Sequence, residues 1–100
     1  MEVHLYWTWD ETKNRINKRK HNLSFTTAVL VFEDPLVASR RDIYPYEDRW
    51  QTMGMAGNLL LLVIHTAPQI NLGTGEEIGR IISARKATPH ERKLYEKGNF

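Results

Sequence analysis

The stretch Gly79-Arg80-Ile81-Ile82-Ser83-Ala84-Arg85-Lys86-Ala87 decides how the chain is read. It sets cations beside two adjacent isoleucines and stops just before Thr88-Pro89, which predicts a strand. Ahead of it, Leu59 to Ile64 is a continuous apolar run bounded by Gly57-Asn58 and Ala67-Pro68, which predicts a second, buried strand. Alternation puts Arg80, Ile82 and Ala84 on one face and Ile81, Ser83 and Arg85 on the other. Each face then combines an apolar anchor with a planar guanidinium, which suits a rigid sheet presenting cations to an anion such as RNA phosphate. A single site using both Arg80 and Arg85 requires a bulge or a strand end between them, expected near Ser83-Ala84.

The flanking sequence predicts the rest of an α+β domain. Residues 2 to 7 alternate in part and read as a first strand. Thr8-Trp9-Asp10-Glu11 matches a capping box, opening a helix to about residue 21 with acids in its first turn and bases in its last. Asn22 is a left-handed stop, and Ser24 caps a second helix whose Phe25, Ala28, Val29 and Phe32 form a core stripe. Pro35 ends it. Leu36 to Arg41 reads as a short strand, 42–48 as a loop, and Arg49 to Met55 as a strand paired with 59–66 through a turn at Gly57-Asn58. Pro68 to Gly79 reads as a long connecting loop. Thr88-Pro89-His90-Glu91 opens a last helix with Leu94 and Tyr95 turned inward and Gly98 as its stop.

One hundred residues predict a single domain spanning 1–100 with a modest core. The absence of cysteine excludes disulfides and thiolate metal sites. The start carries no secretion pattern and the longest apolar run is too short to span a bilayer, so a cytoplasmic protein without membrane contact is expected. The net charge of +2 is small. Its placement matters more, because Lys13, Arg15, Lys18, Arg19 and Lys20 crowd one segment and predict a local basic patch, although such charges also suit a solvated surface helix.

Several chemistries are disfavoured by the residues. The acid pairs Asp10-Glu11 and Glu33-Asp34 are explained by helix ends. His4, His21, His65 and His90 are scattered without ligand spacing, so neither a metal nor another cofactor is expected. Metal-free phosphodiester cleavage remains, which needs a proton acceptor for the 2′-hydroxyl, cations for the phosphorane and a proton donor for the leaving 5′-oxygen. Residues of the right type are His21, His65 and Lys20 for proton transfer, and Arg80, Arg85 and Arg49 for charge. His65, at the end of the buried strand, reads equally well as a satisfied core histidine.

The elements Trp9-Asp10, Lys13, Asn17, Lys20-His21, Leu23-Ser24-Phe25, Ala28, Phe32 and Asp34-Pro35 come first in an ordered pattern. Glu47, Arg49, Gly54, His65, Arg80 to Arg85, Ala87, Glu91-Arg92 and Tyr95 continue it. The pattern covers nearly the whole chain and resembles the BrnT family of toxins. The resemblance implies a RelE-like α+β fold, with two N-terminal helices on an antiparallel sheet and a short C-terminal helix. It implies an endoribonuclease, ribosome-independent or ribosome-associated, that arrests growth by cutting RNA. It also implies a BrnA-type antitoxin with a ribbon-helix-helix part as partner, through which alone operator DNA is contacted. Lys20 and His21 match the Lys-His element, Arg85 the Ser-Ala-Arg element and Arg80 the strand before it. Arg80 and Arg85 are then expected as phosphate ligands, His21 or His65 as proton carrier and Lys20 as electrostatic support. Lys13, Asn17, Arg49, Lys86 and Tyr95 are expected on the RNA-binding surface. The segment 68–79 looks longer than the usual hairpin of that family. A non-catalytic basic module holding nucleic acid or an acidic protein is the alternative. All of these expectations require the late arginines and the basic end of the first helix to meet in one cleft.

Overall fold

The run Leu59-Leu60-Leu61-Leu62-Val63-Ile64 lacks alternation because its strand is covered on both faces. The computed structural model describes residues 4–100. The elements are β1 (His4–Trp9), α1 (Glu11–His21), α2 (Phe25–Ala28), a 3₁₀ turn (Val29–Glu33), β2 (Ala38–Arg41), β3 (Arg49–Ala56), β4 (Leu59–Thr66), β5 (Gln69–Ile70), β6 (Glu76–Lys86) and α3 (Pro89–Glu96). The six strands form one sheet in the order β1-β6-β4-β3-β2, with β5 also paired to β6. On one face Leu61 and Val63 of β4 and Ile81 and Ala84 of β6 pack against Leu23, Phe25, Ala28 and Val31. On the reverse face Leu60 and Leu62 pack with Met53, Ile64, Tyr95 and Phe100. Removing these side chains from water is the main term holding the layers together.

The sheet is mixed, which corrects the expectation of a purely antiparallel one. β1 runs parallel to β6, from His4 opposite Glu76 to Trp9 opposite Ile81. This pairing explains three further departures. The strand expected over 2–7 extends to Trp9, while residues 2 and 3 lie outside the described residues. The cap of α1 therefore moves to Asp10, whose Oδ1 accepts from Lys13 N at 3.0 Å, and Thr8 instead donates to Gly79 O at 3.3 Å. The loop expected over 68–79 is partly a hairpin: β6 begins at Glu76, and Asn71 N donates across the turn to Glu76 O at 2.7 Å. Two consecutive glutamates hid this start, because β1 rather than the core selects those positions.

The second helix tightens to 3₁₀ after Ala28, which turns Val31 into the core beside Phe25 and Ala28 and leaves Val29 and Phe32 part-buried. Trp7 lies over Gly79, its register partner, and stacks on Phe32 with ring centroids 4.2 Å apart. The β3–β4 turn at Gly57-Asn58 forms as expected, with Gly57 at φ 63°.

A bulge interrupts β6, at Ile82 rather than near Ser83-Ala84. Ile64 faces Ser83 while the next residue, His65, faces Ile81, so Ile82 has no partner in β4. The extra residue shifts the parity of the strand. Ile81 and Ala84, three apart, both enter the helix-side core. Arg80 and Arg85 consequently share the reverse face, which strict alternation had forbidden.

The 3₁₀ turn presses closely on β3 at Gly54, where an added Cβ would lie 2.7 Å from the Val31 carbonyl oxygen. The obstacle is backbone and cannot rotate away. Gly54→Ala is expected to destabilise the fold by about 1–3 kcal/mol, read as a lowered urea midpoint with an unchanged slope.

Candidate active site

Lys18, Arg19, Lys20 and His21 occupy the last turn of α1, where exposed carbonyls and the helix dipole favour positive charge. Asn22 then takes a left-handed conformation at φ 56° and returns its N–H to Lys18 O, turning the chain sharply away. One turn before this end, Asn17 is 5% exposed. Its Nδ2 donates to Leu23 O at 3.0 Å, and its Oδ1 accepts from Ala84 N at 3.1 Å. This amide ties α1 both to the segment that follows it and to β6. The basic turn is thereby set against the end of the strand, and Lys20, His21, Arg85 and Lys86 line one open cleft with Arg19 and Thr88.

Arg85 is held in place from α3. Its Nη1 and Nη2 donate to the two oxygens of Glu91 at 2.7 and 2.9 Å. Thr88 N donates to the same carboxylate at 2.9 Å, and Glu91 N donates to the Thr88 hydroxyl, a capping box that aims the acid at the strand. The Arg85 hydrogen bonds, against burial and with help from Thr88, bring the Glu91 pKa down to about 2. The same pairing, opposed by burial, raises that of Arg85. The guanidinium side chain stays 39% exposed, so it is fixed and still accessible.

Arg80 and Arg49 lie elsewhere. Arg80 Nη2 donates to both Glu47 oxygens at 2.9 and 3.0 Å, and Arg49 Nε donates to Glu47 at 2.8 Å while its guanidinium lies 3.7 Å from the Tyr44 ring centre. The Arg49 hydrogen bond, against burial and with Arg80 adding, lowers the Glu47 pKa. Glu47 and Arg80 line a separate cleft with Thr8 and Thr66. The bulge thus puts Arg80 and Arg85 on one face without bringing them to one site.

His65 is a core residue. It is 5% exposed and edge-on to both Trp7 and Phe32. Its Nδ1 lies 2.8 Å from Thr66 O, which can only accept, so Nδ1 carries the proton. Its Nε2 must then accept from the Thr52 hydroxyl at 2.6 Å, and Thr52 in turn accepts from Ser39 at 2.7 Å. Burial pushes the imidazole pKa down, with the Thr66 carbonyl opposing, which keeps the ring neutral near pH 7.

Asn17 and Tyr95, expected at the RNA surface, also act as internal ties. Tyr95 donates its hydroxyl to Asp34 at 2.5 Å, which raises the phenol pKa to about 12, and Met55 N donates to the same carboxylate oxygen. Lys13 lines a shallow groove adjoining the cleft. Glu91 reads in the sequence as a capping residue and part of the family pattern, and its pairing with Arg85 was not foreseen, although a carboxylate six residues after Arg85 was a usable signal. Arg19 and Thr88 were likewise missed as cleft residues.

Residues 9–91 match the family model described as ribonuclease toxin, BrnT, of type II toxin-antitoxin system. The chain belongs to the BrnT toxin family. Membership in the BrnT family makes it a ribonuclease toxin by kind and implies a protein antitoxin as its partner. A comparison with curated proteins gives no match. Among the described residues, no helix is long and apolar enough to cross a membrane. Lys20-His21 and Arg85, among the residues that carry the resemblance in the sequence, line the same cleft.

Two outcomes follow from this geometry. Asn17→Ala leaves Ala84 N–H and Leu23 C=O without their partner and should cost about 2–4 kcal/mol, seen as a lowered urea midpoint. Glu91 titrates at about 2 in the folded chain against an ordinary 4.5, so its contribution is present above pH 4.5 and fades as pH falls toward 2. Unfolding free energy should drop through that window by about 1–2 kcal/mol, discounted for the half-exposed arginine. Glu91→Gln should flatten that part of the profile.

Proposed function

We propose that the chain is a metal-independent endoribonuclease of RelE-like fold, acting in the cleft at the end of α1 and neutralised by a BrnA-type antitoxin. The observation that carries this reading is the convergence of Lys20, His21, Arg85 and Lys86 on one open surface. An imidazole beside fixed and mobile cations is the equipment that metal-free RNA cleavage needs. His21 takes the proton of the 2′-hydroxyl as that oxygen attacks phosphorus. Arg85, pre-oriented by Glu91, stabilises the extra charge on the phosphorane oxygens. Lys86 holds the adjoining phosphate, and Lys20 supplies charge and the proton for the departing 5′-oxygen. The products are a 2′,3′-cyclic phosphate and a free 5′-hydroxyl, with no water consumed in the first step.

The roles first considered for His65 and Arg80 are reassigned. His65 serves the core, and Arg80 with Arg49 supports the Glu47 cleft at a distance from the chemistry. The BrnA-type antitoxin, with its ribbon-helix-helix part, remains the proposed partner, and operator DNA is reached through it.

Expression in bacteria with and without the antitoxin, together with incubation of purified chain and RNA in excess chelator, tests the proposal. Lys20→Ala and His21→Ala should each lower cleavage by about 100-fold or more and relieve growth arrest, with folding intact because Lys20 is exposed and His21 only part-buried at the helix end. Arg85→Ala strands Glu91, so Arg85→Ala combined with Glu91→Gln is the cleaner variant and should also be inactive. Arg80→Ala should keep most activity. Graded, salt-dependent loss of RNA binding across all cations, with no cleavage by the unaltered chain, would instead identify a binding module.

A further inference from the structure

β1 pairs with β6 as far as Ile81, and beyond that point α1 lies along the outer edge of the strand, where Asn17 takes the Ala84 N–H. The bulge at Ile82 sits where β1 leaves. Lys13, Ile16, Lys20, His21, Ile82 and Ser83 line the groove between helix and strand edge, and Lys20 and His21 also line the catalytic cleft. The groove and the cleft are therefore continuous.

The aliphatic residues of this groove are unusual in their setting. Ile16 is 52% exposed in the middle of a helix whose neighbouring groove residues Lys13 and Lys20 are cations. Ile82 is part-buried and is the extra residue of the bulge. A bulge that re-aims one side chain beside a catalytic cleft is a common device for shaping a site. Core packing uses Ile81 and Ala84 from this strand, which leaves Ile82 for the groove.

We infer that the Ile16–Ile82 groove is a subsite for one unpaired nucleobase of the RNA, next to the scissile phosphate. The flat face of the base lies on the two aliphatic side chains, while Lys13 and Lys20, two helical turns and about 10 Å apart along the axis, hold the phosphates on either side. The rim decides the occupant: an apolar floor between lysines fits a base in a polyanion chain, because each half of the groove then meets the half of the nucleotide that it complements. Bases in an A-form duplex are stacked and paired, so their faces cannot reach the floor. The substrate class is thus single-stranded RNA. This inference rests on the proposed ribonuclease reading of the adjoining cleft.

The test uses the full chain, a single-stranded RNA oligonucleotide, the same oligonucleotide annealed to its complement, and versions carrying one abasic nucleotide at successive positions around the mapped cut. Ile16→Ala is a surface change on α1 and should fold. It should raise KM by about tenfold and leave kcat within about twofold, the mark of lost ground-state binding. Ile82→Ala should behave alike. One abasic position should cost the unaltered chain about as much, and should cost the Ile16→Ala, Ile82→Ala double variant nothing further. Native KM in Ile16→Ala, or equal cleavage of duplex and single strand, overturns the subsite while leaving the cleft chemistry standing. Loss of all cleavage in Lys20→Ala and His21→Ala but no effect of any abasic position likewise overturns the subsite alone. A folded, unaltered chain that cuts none of these RNAs overturns both readings. Unchanged RNA kinetics in Ile16→Ala, with lost neutralisation by co-expressed antitoxin, assigns the groove to the protein partner and overturns the inference.

Discussion

The two hydrogen bonds of Asn17 are the constraint on which the site depends. Helix α1 has little apolar surface with which to hold itself to the sheet: Ile16 points into the groove and most of its other side chains are polar. A charged helix of eleven residues would be marginal without tertiary support. The buried amide provides that support by satisfying the open edge of β6 at Ala84 and the returning chain at Leu23. Leaving either partner unsatisfied in the interior costs more than such a bond ordinarily contributes, so the geometry is enforced by penalty as well as by attraction. Lys20 and His21 inherit their position from it.

A second constraint works from the other side of the cleft. Arg85 lies one residue before the end of β6, where a long side chain would ordinarily sample many rotamers. Glu91 removes that freedom with a fork-to-fork pair, and the Thr88 capping box fixes Glu91 in turn. The order of the elements makes this economical, because β6 leads into α3 through Ala87 and Thr88 alone. The guanidinium is thereby oriented by the start of the helix that follows it, so that it meets an anion without first having to reorganise.

Polar residues that look functional in a one-dimensional reading divide according to depth. Asn17, His65 and Tyr95 each occupy a place where the backbone or another polar group needs a partner, and each is used up there. Among the described residues, no buried side-chain nitrogen or oxygen lacks a hydrogen bond. Asp34 illustrates the same economy: burial pushes its carboxyl pKa up, yet hydrogen bonds from Tyr95, Leu36 N and Met55 N bring it below the ordinary value. It joins the 3₁₀ turn, β3 and α3 at one point. Residues whose polar groups remain accessible, Lys20, His21, Lys86 and the outer part of Arg85, are the ones that line the cleft.

Much of this was legible in the chain itself. Turn and cap chemistry is local, so Asn22, Ser24, Gly57-Asn58 and Thr88-Pro89 announce their roles through their own backbone preferences, and the unbroken run at 59–64 announces a strand covered on both faces. The pairing of Lys20-His21 with Arg85 was legible as a family pattern. What lay beyond the sequence was everything set by contact between distant segments. Parallel pairing with β1 moved the start of α1 and carried β6 back to Glu76, and the placement of the bulge at Ile82 decided which face each arginine takes. Whether His65 is a reagent or a core residue depended on Thr52, Thr66, Trp7 and Phe32 closing around it. Local propensity is a property of a few neighbouring residues, whereas register, burial and the sharing of a carboxylate are settled by the whole packed sheet, and tertiary structure alone decides them.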